Sequence, residues 1–306
     1  MRSNICAEQY FFLLRTFSWL IIFFFIFQFI APDLALKTGV SNRKIISWLG
    51  VNIGGPLIWS YAYTFVTVVI TFSLIWLVLE KRASFMEKTL LIILFITIAI
   101  SQSKAAYLAY FFLIIFAICI GYRFANKRAS TAILFYSFAL MFFSGIYIYL
   151  NLEEFGNVAR FINGIQGTGT DESTETRLKQ LSNLKLVIEN NIMFGFPSNY
   201  KIIENAYGYY FYNYGLLGLA LYILTMTLVT LKAWKCFKYS IKHSSHINIK
   251  AFYFGLVCFS ISTFVFSLGS SPIDGHKTSY FYWLLIGLSF GSISLQKKKY
   301  KRFKHG

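Results

Sequence analysis

The chain has 306 residues, of which 57% are hydrophobic, 20% aromatic and only 13% charged, with a formal net charge of +17. A soluble domain averages about a quarter charged residues, and mean hydropathy here is +0.57, so composition excludes a soluble globular protein. Apolar stretches of about eighteen residues or more, each long enough to cross roughly 30 Å of hydrocarbon, recur along the chain and predict an all-α, polytopic integral membrane protein.

The first stretch, 10–31, is too long for a signal-peptide core and has no small-residue cleavage site, so it reads as the first span. A loop carrying Arg43 and Lys44 precedes a second span at 57–79. Spans at 89–101 and 105–122 follow, joined by "SQSK" (Ser101–Lys104) in a tight helical hairpin, and a fifth lies at 129–150. Residues 151–207 form one large loop. The last three spans are 208–231, 250–270 and 279–295, with Asp274, His276 and Lys277 between the last two. Eight spans put both termini on one side, in a single membrane domain covering 1–306.

Charge sets the side. With a cytoplasmic N-terminus, 18 of the 29 Lys and Arg lie inside, including the tail "KKKYKRFKHG", while seven of the twelve acids lie outside between Glu153 and Glu204. The +17 charge is therefore mostly a topology signal. Cytoplasmic anchoring beside anionic lipid accounts for the basic tail better than nucleic-acid binding does. Cys6, Cys119, Cys236 and Cys258 all avoid the outer loops, so no extracytoplasmic disulfide is expected. Neither a CxxC nor a histidine cluster suggests a metal site.

Within the large loop, "NGIQGTGTDESTET" is polar and glycine-rich, and "STETRLKQLSNLKLVIEN" then turns helical, with Ser173 or Thr174 as a cap. Arg177, Leu181, Leu184 and Ile188 share one helical stripe. Arg177 either snorkels to lipid headgroups from a surface helix or aims into a cavity that the helix roofs. "NNIMFGFPSNY" ends the helix in a glycine and proline turn. The chain re-enters the membrane at "ENAYGYYFYNYGLLGLALYI" (Glu204–Ile223).

Tyr207, Tyr209, Tyr210, Tyr212 and Tyr214 fit an interfacial aromatic belt. Five within so short a run exceed what a belt needs, and stacked phenols also suit sugar rings. Gly215 and Gly218 would let a neighbouring helix approach closely. Glu204 is either a solvated carboxylate or a proton acceptor. With Arg43, Lys104, Asn205, Asp274 and His276 on the same side, it outlines a site for an anionic substrate group at the outer interface.

The order of these pieces resembles the O-antigen polymerase and O-antigen ligase superfamily. The pieces are "SNRKIISWLGVNIGGP", the hairpin "SQSKAAYLAY", the arginine-led "TRLKQLSNLKLVIENNIMFGFPSNY", and the asparagine and tyrosines ahead of "YGLLG". The resemblance covers residues 40–290. It implies a GT-C-type membrane glycosyltransferase of the bacterial cytoplasmic membrane, without metal or other cofactor, acting at the outer face. Its substrates would be sugar repeat units on undecaprenyl diphosphate. A chain-length regulator and a flippase of the same pathway are the protein partners implied. The family's diphosphate-contacting arginines correspond to Arg177 and Arg43, and Lys104 stands where arginine is usual, keeping the charge without the bidentate fork. The ligases often have histidine before this asparagine, whereas this chain has Glu204, which favours the polymerase. The resemblance also expects Asn205, Tyr207 and Tyr210 to hold sugar rings. The chain is short for the family, which commonly has ten or more spans. A flippase, the rival class, would bury charges midway through the membrane. Here the spans are almost free of charge, with Arg15 the clear exception. A non-catalytic scaffold is the third class.

Overall fold

The computed structural model describes residues 2–31, 34, 37, 46–48, 51–53, 60–100, 104–132, 135, 146, 150, 179–180, 182–196, 203–244, 246–270, 273, 279–287 and 290–291. Among the described residues, seven helices frame it. They are α1 (Arg2–Ile30), α2 (Ser60–Leu79), α3 (Phe85–Ile100), α4 (Lys104–Phe124), α5 (Leu184–Asn190), α6 (Ala206–His243) and α7 (Ile247–Phe266), with a further helical segment at 279–287. Among the described residues, three helices are long and apolar enough to cross a membrane: Ala105–Phe124, Ala206–His243 and Ile247–Phe266. Gln9–Phe23 and Phe65–Leu79 are shorter apolar stretches. Of the fifth expected span, 129–132, 135, 146 and 150 are described, and all are helical.

One departure from an all-α chain is a small hairpin. Strands β1 (Ile46–Trp48) and β2 (Val51–Ile53) pair antiparallel, Ile46 opposite Ile53 and Trp48 opposite Val51. It falls where the sequence suggested only an arginine-bearing loop, and three-residue strands are too short to show a period.

The core is built around α2 and α7. Fourteen of the twenty α7 residues are buried and the other six half-buried, because the helix is largely apolar all round and surrounded by protein. The two helices approach at Gly255, where an added Cβ would lie 2.1 Å from the Val69 carbonyl oxygen and 2.2 Å from Ser73 Oγ. Small residues let membrane helices come this close. Buried hydroxyls bond back along their own helices, as Ser73 does to Val69 O (2.7 Å) and Ser260 to Leu256 O (2.9 Å), while Trp76 Nε1 and Tyr282 OH are buried without a hydrogen-bond partner among the described residues. Phe65 against Phe259 (4.6 Å between ring centres) and Trp76 against Phe254 (4.8 Å) fill the seam. Against this pair α1 buries Phe11, Leu14, Ser18 and Ile22, one face of the helix, and exposes Phe12, Leu13, Phe17, Leu20 and Phe23.

Two ends can be distinguished. At one, α2 stops in a Schellman turn: Arg82 N–H reaches Leu77 O, Lys81 N–H reaches Val78 O, and Lys81 takes a left-handed φ of 56°. Ser84 and Glu87 then open α3 as a reciprocal capping box, Ser84 N–H donating to Glu87 Oε2 (2.8 Å) and Glu87 N–H to Ser84 Oγ (3.3 Å). Glu87, buried, also meets Arg15 of α1 at 3.4 Å. Arg15, the exceptional charge of the first expected span, thus has a partner. Gly121 of α4 lies against Leu79, and Phe237 of α6 against Trp76 and Phe124, so Lys81, Arg82, Arg123 and Lys238 share this cation-rich end. At the opposite end, α4 begins beside Gly269, and Ala206 N–H donates to Ser267 O (2.9 Å) just past the end of α7.

Candidate functional site

Glu204 and Asn205 lie at that opposite end. Asn205 caps α6, its Oδ1 accepting Gly208 N–H at 3.0 Å, and its Nδ2 donates to Leu268 O at 3.0 Å. One side chain therefore starts one helix and ties it to the end of another. Glu204 is exposed, and its backbone N–H donates to Gln180 Oε1 at 3.0 Å. Gln180 follows Arg177 by three positions in the sequence. Lys104 begins α4, and a Cβ on Gly269 would lie 3.3 Å from Ala105 Cβ. The α4 start, Asn205 and the 267–269 turn are thus gathered together. Arg43, Arg177, Asp274 and His276 lie outside the described residues.

The tyrosines do more than line an interface. Tyr207 donates its hydroxyl to Phe264 O at 2.7 Å, Tyr222 OH meets Ser267 Oγ at 2.7 Å, and Tyr210 stacks on Tyr222 with ring centres 4.3 Å apart. In a continuous helix, residues 210 and 222 would be about 18 Å apart along the axis. The stacking is possible because α6 is broken at Gly215, whose φ of 63° and ψ of −159° are non-helical. Residues 206–214 fold back along 216–222, and the spanning part of the helix begins after the break.

This corrects the reading of the two glycines. The close neighbour of Gly215 is a turn, not another helix. A Cβ there would lie 2.3 Å from Met193 O, and a Cβ on Gly218 would lie 2.2 Å from Tyr214 Cβ in the folded-back segment. The turn, Ile192–Phe196, takes up the backbone groups the break releases. Phe196 N–H donates to Tyr212 O (2.9 Å), Leu216 N–H to Ile192 O (2.8 Å) and Leu217 N–H to Met193 O (3.3 Å). Gly195, with φ of 66°, faces Gly215 backbone to backbone. Beneath this clamp Val187, Ile203 and Tyr212 form a small apolar cluster with Leu184, Phe196, Tyr209 and Phe211.

The helical stripe in the loop also shifts. Val187 is the buried residue, Leu184 is half-buried and Ile188 is 59% exposed. The ladder tightens at Asn183, where Asn183 N–H bonds Gln180 O and Leu186 N–H bonds Asn183 O, both three residues back, so a wheel drawn at constant pitch drifts there. Gln180, Tyr222 and Ser267 are site-framing residues that sequence reasoning missed. The available signal was the glycine at the change from tyrosines to leucines, with a second glycine in "FGFP" to pack against it.

An exposed carboxylate beside a fixed amide, at the end opposite Lys81, Arg82, Arg123 and Lys238, can accept a proton from a bound hydroxyl and orient a polar ligand. No family model, curated protein or solved structure matches the chain.

Proposed function

We propose that this protein polymerises undecaprenyl-diphosphate-linked oligosaccharide repeat units at the outer face of the bacterial cytoplasmic membrane, by metal-independent glycosyl transfer in an eight-span, GT-C-like frame with both termini cytoplasmic. The observation that carries the reading is the meeting of Glu204, Asn205, the α4 start at Lys104 and the end of α7 at the end opposite the cation-rich one. An interfacial enzyme needs its polar groups collected at one membrane face. A flippase needs charges along its path, and Arg15, the charge inside a span, pairs with Glu87 at the cation-rich end.

In the proposed reaction, the acceptor sugar hydroxyl attacks the anomeric carbon of the growing chain. The new C–O bond forms as the bond to diphosphate oxygen breaks. The electron pair leaves with the lipid diphosphate, and the hydroxyl proton passes to Glu204. Arg177, Arg43 and Lys104 would hold the charge that grows on the departing diphosphate. Asn205 is tied at both ends of its amide, which fixes the helix start beside Glu204. Tyr207 commits its hydroxyl to Phe264 O, so it would offer a sugar its ring rather than its proton. Asp274 and His276 are the alternative proton acceptors.

Ligase-type transfer to a different acceptor is the second reading, and it uses the same groups. Purified protein in proteoliposomes, given lipid-linked repeat unit alone, should produce a ladder of lengthened chains. Transfer only when another lipid acceptor is added would favour the ligase, and translocation without new bonds would favour the flippase.

A further inference from the structure

The turn after α5 carries Ile192, Met193 and Phe194 in a row, exposed at 45, 51 and 62%. Three consecutive exposed apolar side chains on a tight turn are unfavourable in water unless something covers them. The turn's hydrogen bonds place it directly against Leu216 and Leu217, both exposed. These two begin the outward face that α6 continues through Leu221, Leu224 and Leu228, also exposed. The apolar surface of the turn is therefore continuous with the face the spanning helix turns to lipid.

Several backbone groups of the turn are satisfied by protein. Lipid-exposed irregular backbone does not occur within the hydrocarbon itself, so a turn at its margin keeps its polar groups on protein or water. Here Ile192 O and Met193 O accept from Leu216 and Leu217, Gly195 N–H donates to Asn191 O, Gly195 O accepts from Asn191 Nδ2, and Phe196 N–H donates to Tyr212 O. Tyr222 is level with Ser267 at the end of α7, and the break at Gly215 lies seven residues further out, about 10 Å along the helix, so the turn sits at the outermost end of α6. The exposed pair Lys185–Glu189 marks the wet side of α5.

We propose that Ile192–Phe194 is a membrane-inserted tip. It enters the leaflet on the Glu204 side, contacts lipid acyl chains, and with the Gly195–Gly215 clamp holds α5 down on the bilayer.

The test uses the full chain in liposomes of phosphatidylethanolamine and phosphatidylglycerol. A photoreactive benzoylphenylalanine replacing Phe194 needs no change to the native cysteines. Irradiation should yield mainly phospholipid adducts, at least fivefold more than the same group placed at Lys185. A nitroxide on Met193→Cys, in a background with the native cysteines replaced, should collide more with oxygen than with a water-soluble nickel chelate, and a label at Lys185 the reverse. Nickel access at 193 as high as at 185, or crosslinking at 194 mainly to a second copy of the chain, would overturn the proposal.

Discussion

Replacing Gly215 with alanine should be among the most damaging single-methyl changes in the molecule. Its φ of 63° and ψ of −159° lie in a region that is essentially glycine-only, costing about 1–3 kcal/mol for any other residue. The new methyl would also lie 2.3 Å from Met193 O, which is backbone and cannot rotate away. The turn must lift, and Leu216 to Ile192 and Leu217 to Met193 are the bonds it loses first. Each backbone bond contributes about 0.5–1.5 kcal/mol net, so strain and lost bonds together reach about 2–6 kcal/mol. That is a large share of the roughly 5–15 kcal/mol that holds a typical domain folded. Thermal unfolding in detergent should show a clear loss of Tm, and trypsin should cut at Lys185 faster in liposomes. Gly195→Ala breaks the same clamp, since its φ is 66° and its methyl would lie 2.5 Å from Tyr212 O. The double variant should therefore cost well under the sum of the singles. A Gly215→Ala protein within about 0.5 kcal/mol of wild type, with unchanged cleavage at Lys185, would refute the clamp.

Glu87→Ala removes half of the α3 capping box and the partner of Arg15, and should cost about 1–2 kcal/mol by the same unfolding measurement, most of it the cap, because the ion pair is part-exposed. Arg177→Ala should reduce polymer formation roughly ten- to a hundredfold, the size of one lost charge-assisted bond to diphosphate, with Arg177→Lys restoring only part; unchanged polymer at equal protein level would mean a snorkelling arginine. For topology, cysteine at Gly167 should react with an impermeant maleimide on intact spheroplasts and cysteine at Lys235 should not, and the reverse pattern would invert the site.

The three described helices long and apolar enough to cross a membrane were legible because length and apolarity are local properties. Ser84 with Glu87 and Asn205 at a helix start likewise follow local capping chemistry. What was not legible depends on partners distant in sequence. Arg15 finds Glu87 across 72 residues. The break at Gly215 is invisible in a run whose tyrosines and leucines keep a helical period, and it exists because the turn at 192–196 is there to accept the freed backbone groups. The tyrosines look alike in the sequence, but the fold gives Tyr207 a carbonyl, Tyr210 a ring to stack on and Tyr212 a buried place beside Phe196.

The central claim is a transfer reaction with Glu204 as base, and the most direct measurement is the ratio of Glu204→Gln to Glu204→Ala activity in proteoliposomes supplied with lipid-linked repeat unit. Glutamine keeps the shape and hydrogen bonding but cannot take the proton. The Gln variant should fold, still bind the lipid-linked substrate, and lose about 10²–10⁴-fold in polymerisation rate, as far as Ala does. A Gln variant with near wild-type polymer would contradict the claim and move the chemistry to Asp274 or His276.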